Sequence, residues 1–305
     1  MSENNTKKSV REFYDRVGWQ MVNADLYQNA QYEDLRPVSQ NYIHRCHLRI
    51  NRCIDTEGQY LLDAGSGPVQ YPEYLTYSEG YHARVCMDIS IVALKEARKR
   101  LGNHGRYIVG DIAHLPFKSE IFDGIVSLHT IHHVPMEDKL LAYDELYRTL
   151  KPGRTMAVVN GWTNAPLMRW LSRFMVAIKQ FHDWRIHEKK RSKPNEGDSD
   201  QRKDNTTQRD SRESAPAGTF VQKLDAEWLT QALQDRMEFE ILVWRSVSVR
   251  FLRSVIYPEW GGRFWLKVLF WLEERFPRLL GRIGQYPLVV VSKPLGENLT
   301  TVSEV

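Results

Sequence analysis

Leu61-Leu62-Asp63-Ala64-Gly65-Ser66-Gly67-Pro68 is the stretch whose reading decides the fold. Two leucines run into a carboxylate, and a turn of small residues follows at once, where backbone can approach a ligand closely. Pro68 suits the first position of a helix after that turn. An apolar strand that ends in a glycine turn opens a βα unit. Open α/β sheets bind ligands at the carboxyl ends of their strands, where strand order reverses. Glycine turns also serve merely to change chain direction, so the surrounding sequence has to be read with this one.

Working outward, strand and helix patterns alternate between Tyr60 and Trp162. Tyr60–Leu62, Ala83–Met87, Tyr107–Val109, Phe122–Ser127 and Thr155–Val159 read as strands. Ile91–Leu101 and Glu137–Leu150 read as helices, the second stopped by Pro152 and Gly153. Such alternation implies a parallel sheet with helical crossovers. Asp225–Leu233 reads as a further helix, Phe239–Val249 and Pro287–Ser292 as two late strands, and Gln40–Cys53 as a helix ahead of the sheet. The expected fold class is α/β.

Composition bounds the rest. The chain has 305 residues, 42% hydrophobic and 26% charged, with a formal net charge of +4. That suits a folded chain with a sizeable core and is a poor footprint for a dedicated nucleic-acid binder. Cys46, Cys53 and Cys86 suggest neither a disulfide framework nor a zinc site. No apolar run is long enough to span a bilayer, and no signal peptide is legible, so the expectation is a cytoplasmic protein, with the option of a place at the membrane periphery. Residues 185–218 carry 16 charges and no aromatic side chain. They read as a disordered insertion, and roughly 1–6 and 295–305 as frayed ends.

Three aspartates close successive strands. Asp63 precedes the glycine turn, where a carboxylate suits an ammonium group and the adjacent amides suit a carboxylate. Asp88 ends the second strand, placed to accept both hydroxyls of a ribose. Asp111 ends the third, placed to accept from an adenine amino group. Each alone is better explained as a helix cap or a loop residue. In a row they describe the parts of S-adenosylmethionine. A dinucleotide loop would require a glycine at position 70, where this chain has Gln70. That disfavours a nicotinamide-dependent oxidoreductase, which is retained as an alternative beside a non-catalytic S-adenosylmethionine-binding protein.

On these residues the chain resembles the class I S-adenosylmethionine-dependent methyltransferases, specifically the type 11, ubiquinone/menaquinone-biosynthesis-like group. Residues 60–68 resemble the glycine-rich motif, Val85–Ser90 the acidic second-strand motif and Gly110–Phe117 the third. Ile121–Ser127 resembles the fourth, with His-rich Ile131-His132-His133-Val134-Pro135 after it, and Glu145–Gly153 the lead into the fifth strand. The resemblance implies a Rossmann-like, seven-stranded, mostly parallel sheet, its last strand antiparallel and inserted between the fifth and sixth. It implies S-adenosyl-L-methionine as cofactor, held by Asp63, Gly65, Ser66, Gly67, Asp88, Ile89, Asp111 and Ile112. Phe13–Trp19 resembles the helical lid that precedes the family's core, with Tyr14 over the cofactor; an aromatic helix face packed on the domain is the competing reading. Val69 stands where the motif has its third glycine, which is expected to narrow the space for the methionine part. Arg154 stands where Lys-Pro-Gly is usually followed by another glycine.

The implied organisation is a lid (1–55), a cofactor-binding core (56–162), a helical extension (163–184), the charged insertion (185–218), the rest of the sheet with a tryptophan-rich basic cap (219–294), and the tail. Methyl transfer from a sulfonium depends chiefly on alignment and desolvation. A general base is needed only for a nucleophile that arrives protonated. His129 and His132 are the candidate bases, and His133 is assigned to shaping the loop through backbone hydrogen bonds. No metal is expected. Between Arg236 and Lys293 lie ten Lys and Arg against five Glu. Arginines beside aromatics suit an acceptor that is anionic and partly apolar: a small molecule, a lipid or a glycan precursor. The segment 261–276 is apolar nearly all round, which fits a buried cap, a subunit contact or a lipid surface.

Overall fold

The computed structural model describes residues 3–23, 26–29, 33–191 and 219–295. The chain opens with α1 (Glu3–Phe13), which passes into a turn of π-helix (Tyr14–Gly18) and an antiparallel ribbon of Met21–Asn23 with Leu26–Tyr27. After α2 (Gln40–His47) come β1 (Gly58–Ala64), α3 (Pro72–Leu75), β2 (Tyr81–Asp88), α4 (Ile91–Leu101) and β3 (Gly105–Val109). β4 (Gly124–Leu128), α5 (Met136–Thr149), β5 (Thr155–Val159) and the long α6 (Pro166–Arg191) follow. The chain then runs through α7 (Ala226–Leu233), β6 (Glu238–Arg245), α8 (Val249–Val255), α9 (Gly262–Arg275), α10 (Pro277–Ile283) and β7 (Tyr286–Ser292).

The sheet order is β3-β2-β1-β4-β5-β7-β6, with β7 antiparallel to both its neighbours, as expected from the sequence. Strand order reverses between β1 and β4, and the crevice of such a sheet opens beyond their carboxyl ends. Both faces are covered, which is why the strands read as continuous apolar runs. Side chains alternate between faces with period two. Leu62, Val85, Met87, Ile125, Met156 and Val158 meet α5 and α7 in one core. Leu61, Cys86, Val126, Ala157 and Val159 meet α4 and Ile50 in the other. A third, smaller core joins α2, α8 and α9 through Tyr42, Leu252, Leu266 and Phe270, with Met168 and Leu171 of α6 against it.

Several elements differ from the sequence reading. Ser39 precedes α2, which tightens after His47 into a 3₁₀ turn over Leu48–Arg52. The expected strand to Val249 stops at Arg245, because the Ser248 hydroxyl caps α8 by accepting from Phe251 N. The ribbon near residue 21 was not foreseen, and α1 begins at Glu3, which corrects the frayed end expected for residues 3–6. α6 runs to Arg191, seven residues into the stretch read as disordered; residues 192–218 lie outside the described residues, as do 296–305 of the tail. α9 buries one narrow face, on which Glu273 accepts from Tyr42, Arg49 and Ser246.

Candidate functional site

One cavity of about 450 Å³ opens beyond the carboxyl ends of β1, β2, β3 and β4, within the size range of small-molecule sites. The glycine turn forms its floor. Gly65 N and Ser66 N both donate to Met87 O, at 2.7 and 3.1 Å, so the turn is tied to the end of β2. Gly65 has φ +76 and Gly67 φ +55, backbone that favours glycine. A Cβ on Gly65 would also strike Thr130 at 2.1 Å, and one on Gly67 would press on the Trp19 ring at 3.1 Å.

Val69 adopts φ +54 as well, a rare conformation for a β-branched residue. Its side chain is fully buried in the core with Leu61 and Tyr74 and is not part of the cavity wall. The expected narrowing of the methionine space is therefore corrected. Arg154 is likewise remote, paired with Asp55 at 3.3 Å.

The three aspartates all line the cavity, with different partners. Asp63 Oδ2 accepts from both Nε and Nη2 of Arg84 on the neighbouring strand. Burial pushes its carboxyl upward against the pull of Arg84. Asp63 thus reaches the cavity with its Oδ2 engaged by Arg84. Asp88 accepts Gly67 N on Oδ2 at 2.9 Å and Ser90 N on Oδ1 at 2.8 Å. Each oxygen keeps a further lone pair for a ligand. Burial pushes Asp88 up to about 6, against those two amides. Asp111 accepts from Lys7 Nζ at 2.7 Å and from Ala113 N at 3.0 Å. The same ammonium contacts Asp138, so α1 sets an amino group where the sequence placed an adenine amino group. Ile89 and Ile112 complete this end of the wall.

Tyr14 stands over the cavity and stacks on Trp19 at 5.1 Å between ring centroids. Its hydroxyl meets His133 Nε2 at 2.7 Å, while His133 Nδ1 lies 2.7 Å from Phe220 O. A carbonyl can only accept, so Nδ1 carries the proton and Nε2 accepts from tyrosine. Burial pushes His133 down to about 4, which keeps the ring neutral for this arrangement. The structural role expected for His133 is what it performs. Asp15 receives the Ser90 hydroxyl, a second tie between lid and core. Buried Lys139 donates to Ile131 O and Val134 O and fixes the turn that carries the histidines.

His129 and His132 both reach the cavity. Burial, then the Arg245 guanidinium, pushes His129 down to about 3. Burial, then His133, drives His132 well below the ordinary imidazole value. Both rings are neutral and weakly basic. Around them the structure assembles Glu33, Lys223, Trp244, Arg245 and Tyr286, of which Trp244 and Arg245 fall in the basic, aromatic stretch expected to meet the acceptor. Arg245 is ion-paired with Glu33, and although burial opposes it, that contact holds Glu33 down at about 2. Six buried polar atoms on cavity-lining residues have no hydrogen-bond partner among the described residues: Trp19 Nε1, Gln70 Oε1, His132 Nδ1, Thr219 Oγ1, Trp244 Nε1 and Arg245 Nε. Buried polar groups are ordinarily paired, so this concentration marks a wall built for a polar ligand.

Residues 62–158 match a family model described as a methyltransferase domain. A ubiquinone/menaquinone biosynthesis C-methyltransferase of Cereibacter sphaeroides is 34% identical over 151 residues, covering 46% of this chain and 59% of that protein. The matched regions span between 19% and 59% of the first curated relatives' own lengths. Among solved structures, phosphoethanolamine N-methyltransferase 1 of Haemonchus contortus, in complex with phosphoethanolamine and S-adenosylhomocysteine, superposes with a TM-score of 0.53 at 13% identity, over 97% of this chain and 51% of that one. The [4+2]-cyclase SpnF superposes at 0.50 with 17% identity, over 95% and 98%. These superpositions speak to the fold, which by itself does not fix the reaction. Motif order, sheet topology and the family match agree: residues 62–158 form a domain that matches the methyltransferase-domain family and is similar to the type 11 S-adenosylmethionine-dependent methyltransferases.

Proposed function

We propose that this protein transfers a methyl group from S-adenosylmethionine to an acceptor that is partly apolar and carries an anionic group. The observation that carries the reading is one cavity that joins the aspartate-lined ends of β2 and β3 to a wall of aromatic and basic side chains. The residues at its first end fit the cofactor: Asp88 for the ribose hydroxyls, Asp111 and Ile112 for the adenine, the Gly65-Ser66-Gly67 backbone for the amino-acid end, Ile89 as an apolar side. Bound there, the cofactor supplies an electrophilic methyl carbon.

This chain's own residues supply alignment and dryness. Tyr14 and Trp19 close the cavity from above, and exclusion of water strengthens every polar contact inside. At the far end Lys223 offers positive charge beside Trp244 and Tyr286, while Arg245, its charge met by Glu33, keeps Nε as a donor. A second cavity of about 450 Å³, lined by Lys223, Ser248, Arg250, Arg253 and Tyr286 among others, shares Lys223 and Tyr286 with the first. An acceptor whose anionic group sits among those cations would reach past Tyr286 toward the methyl donor. His129 is neutral and can receive a proton, but a base near 3 is weak, and Brønsted behaviour then favours a nucleophile that reacts without strong deprotonation.

The test is release of S-adenosylhomocysteine from S-adenosylmethionine with paired acceptors: aromatic and long-chain compounds carrying a carboxylate or phosphate, each beside its neutral ester. Turnover of anionic members, with KM raised by Lys223→Ala, supports the reading. Preference for the neutral esters, or an unchanged KM in that variant, contradicts the anionic acceptor.

A further inference from the structure

α6 has three faces. Met168, Leu171 and Met175 turn toward the protein. Trp170, Phe174, Phe181 and Trp184 recur at spacings of four, seven and three, which places them in one stripe. All four are at least half exposed. Arg169, Arg173 and Lys179 occupy the remaining arc, also exposed.

α9 repeats the plan. Leu266, Phe270 and Glu273 are buried, while Phe264, Trp265 and Trp271 point outward, each more than half exposed. Arg263 and Lys267 flank them, exposed. The two helices rest on the same small core, and the Phe181 ring of α6 lies 6.0 Å from that of Trp260, in the turn just ahead of α9. Single exposed apolar residues are ordinary, whereas four exposed large aromatics on α6 and three on α9, two helices that share one core, mark an interaction surface.

We propose that this face docks on the surface of an anionic lipid bilayer, with α6 and α9 lying in the plane of the headgroups. The charge selects the partner. Exposed cations border both aromatic stripes, which complements anionic headgroups; pairing two copies of this face would set like charges together. Tryptophan belongs at such an interface, its ring in the apolar zone and its N–H toward water. No described helix is long and apolar enough to cross a membrane, so the contact is one of lying on the surface. The inference is independent of the methyl-transfer reading.

The experiment is flotation of the full chain with vesicles of phosphatidylcholine alone and of phosphatidylcholine with about a third phosphatidylglycerol. The expected result is binding to the anionic vesicles, weakened by high salt. Trp170→Ser/Trp184→Ser and Trp265→Ser/Trp271→Ser should each lower that binding by at least about fivefold. Because these side chains are exposed, both variants should keep the parent's melting temperature and cofactor affinity. Absence of vesicle binding overturns the proposal, as does binding that neither variant changes. A concentration-dependent dimer, seen by light scattering and abolished by the same substitutions, would reassign the face to a second copy and overturn it too.

Discussion

The Tyr14 hydroxyl donates to His133 Nε2 at 2.7 Å, a contact between residues 119 apart in sequence. The opposite ring nitrogen holds Phe220 O. One neutral imidazole thus links the lid, the loop after β4 and the segment that leads to Lys223.

Tyr14→Phe removes the lid's half of that link and keeps the ring stacked on Trp19. A neutral hydrogen bond contributes about 1 kcal/mol net, so affinity for S-adenosylhomocysteine should fall roughly two- to tenfold. Calorimetry measures it, and limited proteolysis should show faster cleavage ahead of residue 20. An affinity equal to the parent's would mean that the lid does not close on the cofactor.

Asp88 gives the site a pH dependence. Burial raises its carboxyl to about 6, above its value in the unfolded chain. The folded protein thus holds this proton between about pH 4 and 6, and the stability the group contributes is lost as pH rises through 6. Cofactor binding runs the other way, because the carboxylate is the better acceptor for two hydroxyls. Affinity for S-adenosylhomocysteine should rise as pH increases from 5 to 7. His129 and His133, at about 3 and 4, do not titrate in that window. Asp88→Asn should bind at least about tenfold more weakly, a change of about 1.4 kcal/mol, and lose the pH dependence. A variant with the same slope would place the titration elsewhere.

The Asp63–Arg84 pair is buried between β1 and β2, where Arg84 also donates to Tyr74 O. Arg84→Met leaves a carboxylate buried without its cation, which costs about 3–5 kcal/mol. Chemical denaturation should show that loss, and the double variant Asp63→Leu/Arg84→Met should recover much of it. A single variant as stable as the parent would show that Asp63 is neutral in the folded state.

The sheet was legible because its information is local. Leu61–Pro68 announces a strand and a turn, and alternate residues of β4 and β5 announce burial on both faces. Asp88, Asp111 and the glycines reached the cavity for the same reason: each ends a strand of one parallel sheet. The rest depends on distant partners. Nothing near Asp63 in sequence signals that Arg84 will match its charge, and nothing near Asp111 signals Lys7, 104 residues earlier. Glu33 and Arg245 lie 212 residues apart and read singly as surface charges. α9 reads as apolar nearly all round; Glu273 faces inward because Arg49, Tyr42 and Ser246 are there to receive it, and three aromatics are left outside.

The central claim is that the cavity is shaped for S-adenosylmethionine, and titration calorimetry of the full chain with S-adenosylhomocysteine and with NAD tests it most directly. The expected result is one S-adenosylhomocysteine site per chain, weakened by Asp88→Asn, and weaker binding of NAD. Tighter binding of NAD than of S-adenosylhomocysteine would contradict it.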